Sequence, residues 1–115
     1  MYIGLPLSIQ LSYRNMEKPL QHLIEKEFGV PTGELFSNTR KKEMAEGRHL
    51  YAAILYHTCP SMSLSQIGKE MGKDHATVLH SCKKVALFTV IENEYRQRSI
   101  SVLAGYMRHK YPNMA

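Results

Sequence analysis

The chain has 115 residues, and its 15 Lys and Arg against 10 Asp and Glu give a formal charge of +5 at pH 7. This length fits one small domain, and it excludes a motor ATPase with its own sensor elements and a barrel enzyme of about 250 residues. The basic charge favours an anionic partner, with nucleic acid first and an acidic membrane second.

Cysteine content and hydropathy point to the cytoplasm. Cys59 and Cys82 are too few for a disulfide framework, which fits a reducing compartment. The sequence has no run of 18 apolar residues, so it predicts no membrane span. Residues 1–11 lack the basic start and the small-residue cleavage site of a secretory signal, and we expect residues 1–15 to form an arm.

Helical periodicity begins at residue 17. Glu17–Phe28 is predicted as a helix, with Pro19 in its first turn and Gly29 just beyond its end. Its apolar residues recur at helical spacing: Leu20, Leu23, Ile24 and Phe28. Residues 37–42 are polar and basic, and they predict a loop.

Four further helices are predicted downstream. Residues 43–57 form a helix that ends before Pro60, and Ser63 with Gln66 forms a capping box for a short helix that Gly72 ends. Asp74 caps a longer helix to about residue 94, and residues 99–110 form the last. The expected inward side chains, in order along the chain, are Leu50, Ala53, Ile54, His57, Leu64, Ile67, Met71, Val78, Leu79, Cys82, Val85, Ala86, Ile100, Leu103 and Met107.

The fold class that these elements predict is all-α: a compact single domain of five or six helices over residues 16–112. Within it, residues 63–84 have the pattern of a helix-turn-helix. Gly68 is the small residue needed where the two helices cross, and Gly72 tolerates the positive φ of the turn. The outer side of the second helix carries His, Thr, Ser and Lys, which can contact base edges and phosphates.

One continuous run of residues relates this helix-turn-helix pattern to a known protein family. Residues 63–85 read Ser-Leu-Ser-Gln-Ile-Gly-Lys-Glu-Met-Gly-Lys-Asp-His-Ala-Thr-Val-Leu-His-Ser-Cys-Lys-Lys-Val. This run closely resembles the signature of the C-terminal DNA-binding domain, domain IV, of the bacterial replication initiator DnaA. Residues 35–55 resemble the family's basic loop and following helix, so the resemblance covers about residues 20–95.

The resemblance implies double-stranded DNA as the partner, in a role related to replication-origin recognition and a nucleoid location. It places Arg40 on the basic loop residue that enters the minor groove. The positions where the family contacts base edges in the major groove are Lys73, Asp74, His75, Ala76 and Thr77. The positions of phosphate or near-phosphate contacts are Lys42, Arg48, Thr77, His80 and Lys83.

The sequence departs from the family pattern at four points. Ala76 replaces a threonine, and Lys73 replaces an arginine and so loses the forked geometry that suits guanine. Only Gly72 precedes Lys73, where the family has two glycines, and Glu46 stands where a basic residue is common. We therefore expect DNA binding without assuming the family's usual target sequence.

No catalytic, metal or cofactor site is predicted. The chain has no G-x-x-x-x-G-K-[ST] motif, so we expect no nucleotide binding and a stand-alone module without the ATPase motor. A zinc site is disfavoured, because its candidate ligands diverge: His57 and Cys59 straddle a helix end, and His80 and Cys82, two residues apart, point to different faces of a helix. The candidate set for such a site is His57, Cys59, His75, His80 and Cys82. The alternative function is a helical protein-interaction module, or a small transcriptional regulator that kept the fold, with other replication or regulatory proteins as partners.

Overall fold

The computed structural model describes residues 17–37 and 39–112. The predicted arm, residues 1–15, and the start of the predicted domain at residue 16 lie outside this part of the chain. The described residues form no strand and five helices: α1 (Glu17–Phe28), α2 (Lys42–Thr58), α3 (Leu64–Met71), α4 (His75–Ile91) and α5 (Asn93–Lys110). The all-α prediction with a helix-turn-helix is confirmed. No helix of this part of the chain is both long and apolar enough to cross a bilayer.

Helix α2 lies at the centre of the domain. It packs against α1, α3 and α4, while α5 packs against α1 and α4. Six consecutive α2 residues are buried, which shows that neighbours surround the helix: Leu50, Tyr51, Ala52, Ala53, Ile54 and Leu55. The surrounding core includes Leu20 and Ile24 of α1, Ile67 of α3, Val78 of α4 and Tyr106 of α5. The remaining helices are therefore positioned relative to α2.

A buried carboxylate organises the connection from α1 to α2. Glu25 is 2% exposed, and its Oε2 accepts hydrogen bonds from the backbone N–H of Gly33 at 3.0 Å and of Leu35 at 3.2 Å. Burying a carboxylate is tolerated when hydrogen bonds replace its water. Glu25 thereby fixes the turns that bring Leu35 into the core and start the chain toward the basic loop.

The α3–α4 unit forms for the reasons predicted from its sequence. The Ser63–Gln66 capping box begins α3, and Gly72 ends it with a φ of +69°. A Cβ atom built on Gly68 would lie 2.5 Å from the Lys73 carbonyl oxygen, so only glycine fits this crossing. Asp74 then begins α4, because its Oδ1 accepts the Thr77 N–H at 2.8 Å.

The predicted end of the fourth helix and start of the fifth are wrong. Helix α4 ends at Ile91, and α5 begins at Asn93 after one extended residue, Glu92. The β-branched run 89–91 weakens helix propensity at this point. Arg96 donates to the Thr89 carbonyl at 3.1 Å, which satisfies one of the carbonyls freed at the end of α4.

The predicted inner face of the last helix is wrong for Ile100 and Leu103, whereas Met107 packs against the core as predicted. Ile100 is 56% exposed and Leu103 is 40% exposed, while Met107 is half-buried. The face that packs inward instead carries Tyr95, Ser99, Val102, Gly105 and Tyr106. These tyrosines combine a large apolar ring with a hydroxyl that can still bond, as Tyr95 Oη does to the Glu46 carbonyl at 3.3 Å.

Three further side chains expected to point inward lie elsewhere, and one of them, Ala86 of α4, is exposed. Leu79 is 41% exposed, because it sits about 100° around the helix from Val78, which is buried. His57 is exposed in the last turn of α2, where a polar ring meets solvent at the helix end. The α2 bounds differ from the prediction by one residue at each end.

We predict that Gly68→Ala destabilises the domain by about 1–3 kcal/mol, because the added methyl forces apart a backbone contact that cannot relax cheaply. Urea unfolding followed by circular dichroism measures this loss. Ser65→Ala, at an exposed position on the same helix, is the control and should leave the unfolding midpoint unchanged. A parent-like midpoint for Gly68→Ala would show that the α3–α4 crossing is loose.

Candidate nucleic-acid interface

The first part of α4 has one buried side and one uncovered side. Val78 faces inward and is buried, as predicted. Ser81 was expected on the outer side, and this prediction is wrong: its short side chain is buried against α2, where its Oγ lies 2.8 Å from His49 Nδ1. The other described helices leave the opposite side uncovered. The residues predicted to contact DNA on this segment are exposed except for Thr77, which is half-buried: Lys73, Asp74, His75, Ala76, Thr77, His80 and Lys83.

The N-terminus of α4 is held by Asp74. The Thr77 backbone N–H, followed by the Thr77 hydroxyl, holds the pKa of the Asp74 carboxyl below its usual range. The carboxylate therefore stays ionised at neutral pH while it remains exposed. An ionised carboxylate at this point can accept from an amino group on a base edge in the major groove.

The basic loop before α2 is anchored to α2. Arg48 Nη2 donates a hydrogen bond to the Thr39 carbonyl, one residue before the exposed Arg40. The Arg48 side chain is half-buried, and burial lowers its pKa. Lys42 is exposed at the first position of α2. The loop therefore presents Arg40 and Lys42 to solvent, while Arg48 binds the loop backbone.

Helix α4 contacts α2 at the next residue. His49 Nδ1 lies 2.8 Å from Ser81 Oγ, and the His49 ring stands edge-on to His80 with centroids 6.1 Å apart. Burial, followed by the positive charges of His80, Lys84 and Arg48, lowers the pKa of His49. Since residues 48 and 49 are adjacent, the Arg40 loop and the middle of α4 are both attached to the same part of α2.

The structure thus brings the predicted residues together in two groups. One group is the first turns of α4 with Lys73, and the other is the loop with Arg40 and Lys42. The sequence analysis did not identify His49. No local signal marks it, because its partner Ser81 lies 32 positions away and the contact forms only after α2 and α4 pack.

Two basic side chains of α5 bind groups within the domain. Arg98 pairs with Glu94 at 2.7 Å, and Lys110 donates to the Thr58 carbonyl. Glu46 lies beside a cavity of about 300 Å³ that Glu92 and Arg98 also line. Burial is the main cause that raises the pKa of Glu46. Glu46 therefore faces the start of α5.

The described residues contain no cluster of three or more His, Cys, Asp or Glu side chains able to hold a metal ion. His80 is exposed on α4, whereas Cys82 is half-buried and burial raises the pKa of its thiol. The two side chains therefore differ in both direction and environment.

Comparison with known proteins identifies the family. The family model for the bacterial DnaA protein helix-turn-helix matches residues 18–85. A chromosomal replication initiator protein DnaA from Lachnoclostridium phytofermentans is 41% identical over 64 residues, which is 55% of this chain. Another from Synechococcus sp. is 30% identical over 94 residues, which is 72% of this chain, and one from Bacteroides fragilis is 40% identical over 65 residues, or 56%.

The matched region is a fraction of each relative. It covers 14% of the Lachnoclostridium protein, 20% of the Synechococcus protein and 13% of the Bacteroides protein. A search of solved structures gave no match. The family model covers more than half of the chain and includes the basic loop, α3, the turn and the first part of α4. The chain therefore belongs to the bacterial DnaA helix-turn-helix family.

Proposed function

We propose that this domain binds double-stranded DNA, with the first turns of α4 in the major groove and Arg40 in the adjacent minor groove. Lys73, Asp74, His75, Ala76 and Thr77 contact base edges in this proposal. The phosphate contacts come from Lys42, His80 and Lys83, while Arg48, at a family phosphate position, binds the backbone of the Arg40 loop. The observation that carries the proposal is the joint exposure of α4's outer side and of the Arg40 loop, which attach to adjacent residues of α2.

The charge of this surface supports an anionic partner. Among the described residues, the ion pairs are Arg98–Glu94 and the contact of His22 with Glu25. Arg40, Lys73 and Lys83 are exposed and take part in neither. An unpaired cation keeps its full attraction for phosphate, and each such contact releases condensed counterions from DNA.

The geometry supports a model in which α4 occupies the major groove and the Arg40 loop occupies the minor groove. A helix fits the major groove with its first turn against base edges, and its unpaired N–H groups favour nearby phosphate. A long, flexible arginine suits a narrow and electronegative minor groove. The named relatives are chromosomal replication initiator proteins. We therefore propose recognition of a site related to replication origins, without predicting nucleotide hydrolysis by this domain.

Exposed apolar residues favour one other function. Val90 and Ile91 are 74% and 61% exposed at the far end of α4, as expected if the helix also met a protein partner. The second candidate is therefore a helical protein-interaction module. Fluorescence anisotropy with a mixed pool of duplexes distinguishes the two candidates, because a DNA-binding domain binds the duplexes with a dissociation constant whose logarithm rises linearly with log salt.

We predict that the logarithm of the duplex association constant falls linearly with log salt. Lys83→Ala should flatten this slope by about one for every duplex sequence, since it removes one phosphate contact. Titrations at several salt concentrations measure the slope. Lys26→Ala, an exposed lysine on α1, is the matched control and should keep the parent slope. A parent-like slope for Lys83→Ala would place this residue outside the interface.

We predict that Arg40→Ala weakens binding to the preferred duplex about tenfold, a loss of ~1.4 kcal/mol, because it removes the minor-groove contact. Selection from a random duplex library supplies that site. Arg108→Ala, an exposed arginine on α5, is the control and should bind like the parent. If Arg40→Ala binds as the parent does, the loop does not contact DNA.

Variants at Asp74 separate helix capping from base contact. We predict that Asp74→Ser, which keeps an N-cap oxygen, unfolds close to the parent yet binds duplex more weakly, whereas Asp74→Ala loses both properties. The pKa of Asp74 lies below its unfolded value, so its contribution to stability is present above the unfolded pKa and is lost as pH falls through the folded one. Parallel urea titrations and anisotropy measure both effects. Parent-like DNA affinity for Asp74→Ser would limit Asp74 to capping.

A further inference from the structure

Two consecutive residues of α2 each hold one of the elements proposed to contact DNA. Arg48 Nη2 donates to the Thr39 carbonyl in the loop that carries Arg40, and His49 Nδ1 lies 2.8 Å from Ser81 Oγ in α4. We propose that Arg48 and His49 are positioning residues that set the separation between the minor-groove loop and the major-groove helix. This inference rests on the proposed function and deepens it.

The separation matters because two grooves must be occupied at once. A loop and a helix can contact the two grooves simultaneously only when the protein holds each element within about 0.5 Å of its binding position. Adjacent residues of an α-helix lie 1.5 Å apart along its axis and point about 100° apart. Residues 48 and 49 can therefore reach two different elements from nearly the same point on a buried helix.

The environment of Arg48 indicates a structural use of its guanidinium. The side chain is half-buried, its Nη2 is bonded to a backbone carbonyl, and its Nε is buried without a hydrogen-bond partner among the described residues. Of the described basic residues, Arg40 and Lys42 at this site are exposed instead. Arg48 thus acts on DNA through the placement of Arg40, in contrast to the direct phosphate contact that the family resemblance implies.

The environment of His49 makes its contact dependent on pH. It faces Arg48 from α2 and His80, Lys84 and Ser81 from α4. Burial is the main cause that lowers the pKa of His49, followed by electrostatic repulsion from the neighbouring basic side chains. Ser81 is only 2% exposed, so its hydroxyl depends on the His49 ring for a partner at this interface. The negative charge of bound phosphates would offset this repulsion and raise the pKa of His49 again. His49 therefore takes up a proton on DNA binding at low pH, and this uptake strengthens binding as pH falls.

A double-mutant cycle tests Arg48. Arg48→Met keeps the apolar stem and removes the donors, and we expect it to weaken binding about tenfold in the parent and at most about twofold in Arg40→Ala, because both changes remove the same contact. Losses that multiply to about a hundredfold would overturn the proposal, since they would show an independent phosphate contact. Arg108→Met is the matched control and should have no effect in either background.

Two variants test His49. His49→Gln keeps a hydrogen-bonding group near Ser81 but cannot take up a proton. We therefore expect parent-like DNA affinity at pH 7.5, and a smaller increase in DNA affinity than the parent shows below pH ~6.5. His49→Ala should bind more weakly at every pH. His75 and His80 also face the proposed interface, so the contribution of His49 is the difference between the two profiles. The control is His109→Gln on α5, and a parent-like profile for both His49 variants would overturn the proposal.

Measurements without DNA separate this inference from the proposed function. If the parent fails to bind duplex at low salt, DNA binding fails, while the structural part is still tested by trypsin cleavage after Arg40 and Lys41. We expect Arg48→Met to be cleaved there several times faster than the parent at equal global stability. Equal rates would show that Arg48 does not hold the loop, and the proposal would fall.

Stability gives the corresponding test for His49. The pKa of His49 in the folded state lies below the unfolded value of about 6.5. As pH drops below ~6.5, the unfolded chain therefore takes up a proton before the folded chain does, and the urea midpoint of unfolding falls. His49→Gln should remove this part of the fall. A midpoint profile that matches the parent at every pH would contradict a neutral, hydrogen-bonded His49 in the folded state.

Discussion

The close crossing of α3 and α4 is the constraint on which the rest of the structure depends. At Gly68 the backbone of the turn comes so near that a methyl group would lie 2.5 Å from the Lys73 carbonyl oxygen. The left-handed Gly72 allows the chain to turn within this space, and Asp74 begins α4 immediately afterwards. The crossing fixes the rotation of α4 and therefore decides which side chains face outward.

That rotation is supported from the opposite side by α2. Val78 packs into the core, while Ser81 brings a hydroxyl into a buried position that only a hydrogen-bonding partner makes acceptable. His49 is that partner at 2.8 Å. A polar contact of this kind is more directional than apolar packing, so it specifies one setting of α4 against α2.

The basic side chains of the domain fall into two groups that differ in what they contact. Arg96, Arg98 and Lys110 of α5 are used within the domain, on backbone carbonyls or on Glu94. The cations at the loop and on α4 remain exposed, and Arg48 supports the loop backbone between them. The basic composition is thus divided between side chains that hold the domain together and side chains left for an anion.

The sequence by itself determined the features that depend on local signals. The capping box at Ser63, the glycine turn, the Asp74 cap and the first helix were all predicted, because neighbouring residues alone satisfy the backbone groups involved. The resemblance also identified the family, since its run of matching residues is continuous along the chain. Predictions from apolar periodicity were less accurate. The buried face of α5 is carried by Tyr95, Ser99 and Tyr106, whose hydroxyls hide them from a pattern of purely apolar residues.

Only the tertiary structure decided the contacts between distant residues. His49 pairs with Ser81, and Arg48 pairs with the Thr39 carbonyl. Both contacts depend on where α2 packs against the loop and against α4, and the residue types alone do not determine this packing. The end of α4 at Ile91 has both kinds of cause, since the β-branched residues 89–91 weaken the helix locally and α5 supplies Arg96 to the freed Thr89 carbonyl. Local hydrogen bonds are determined by residues a few positions apart, whereas these contacts form only when separate helices pack together.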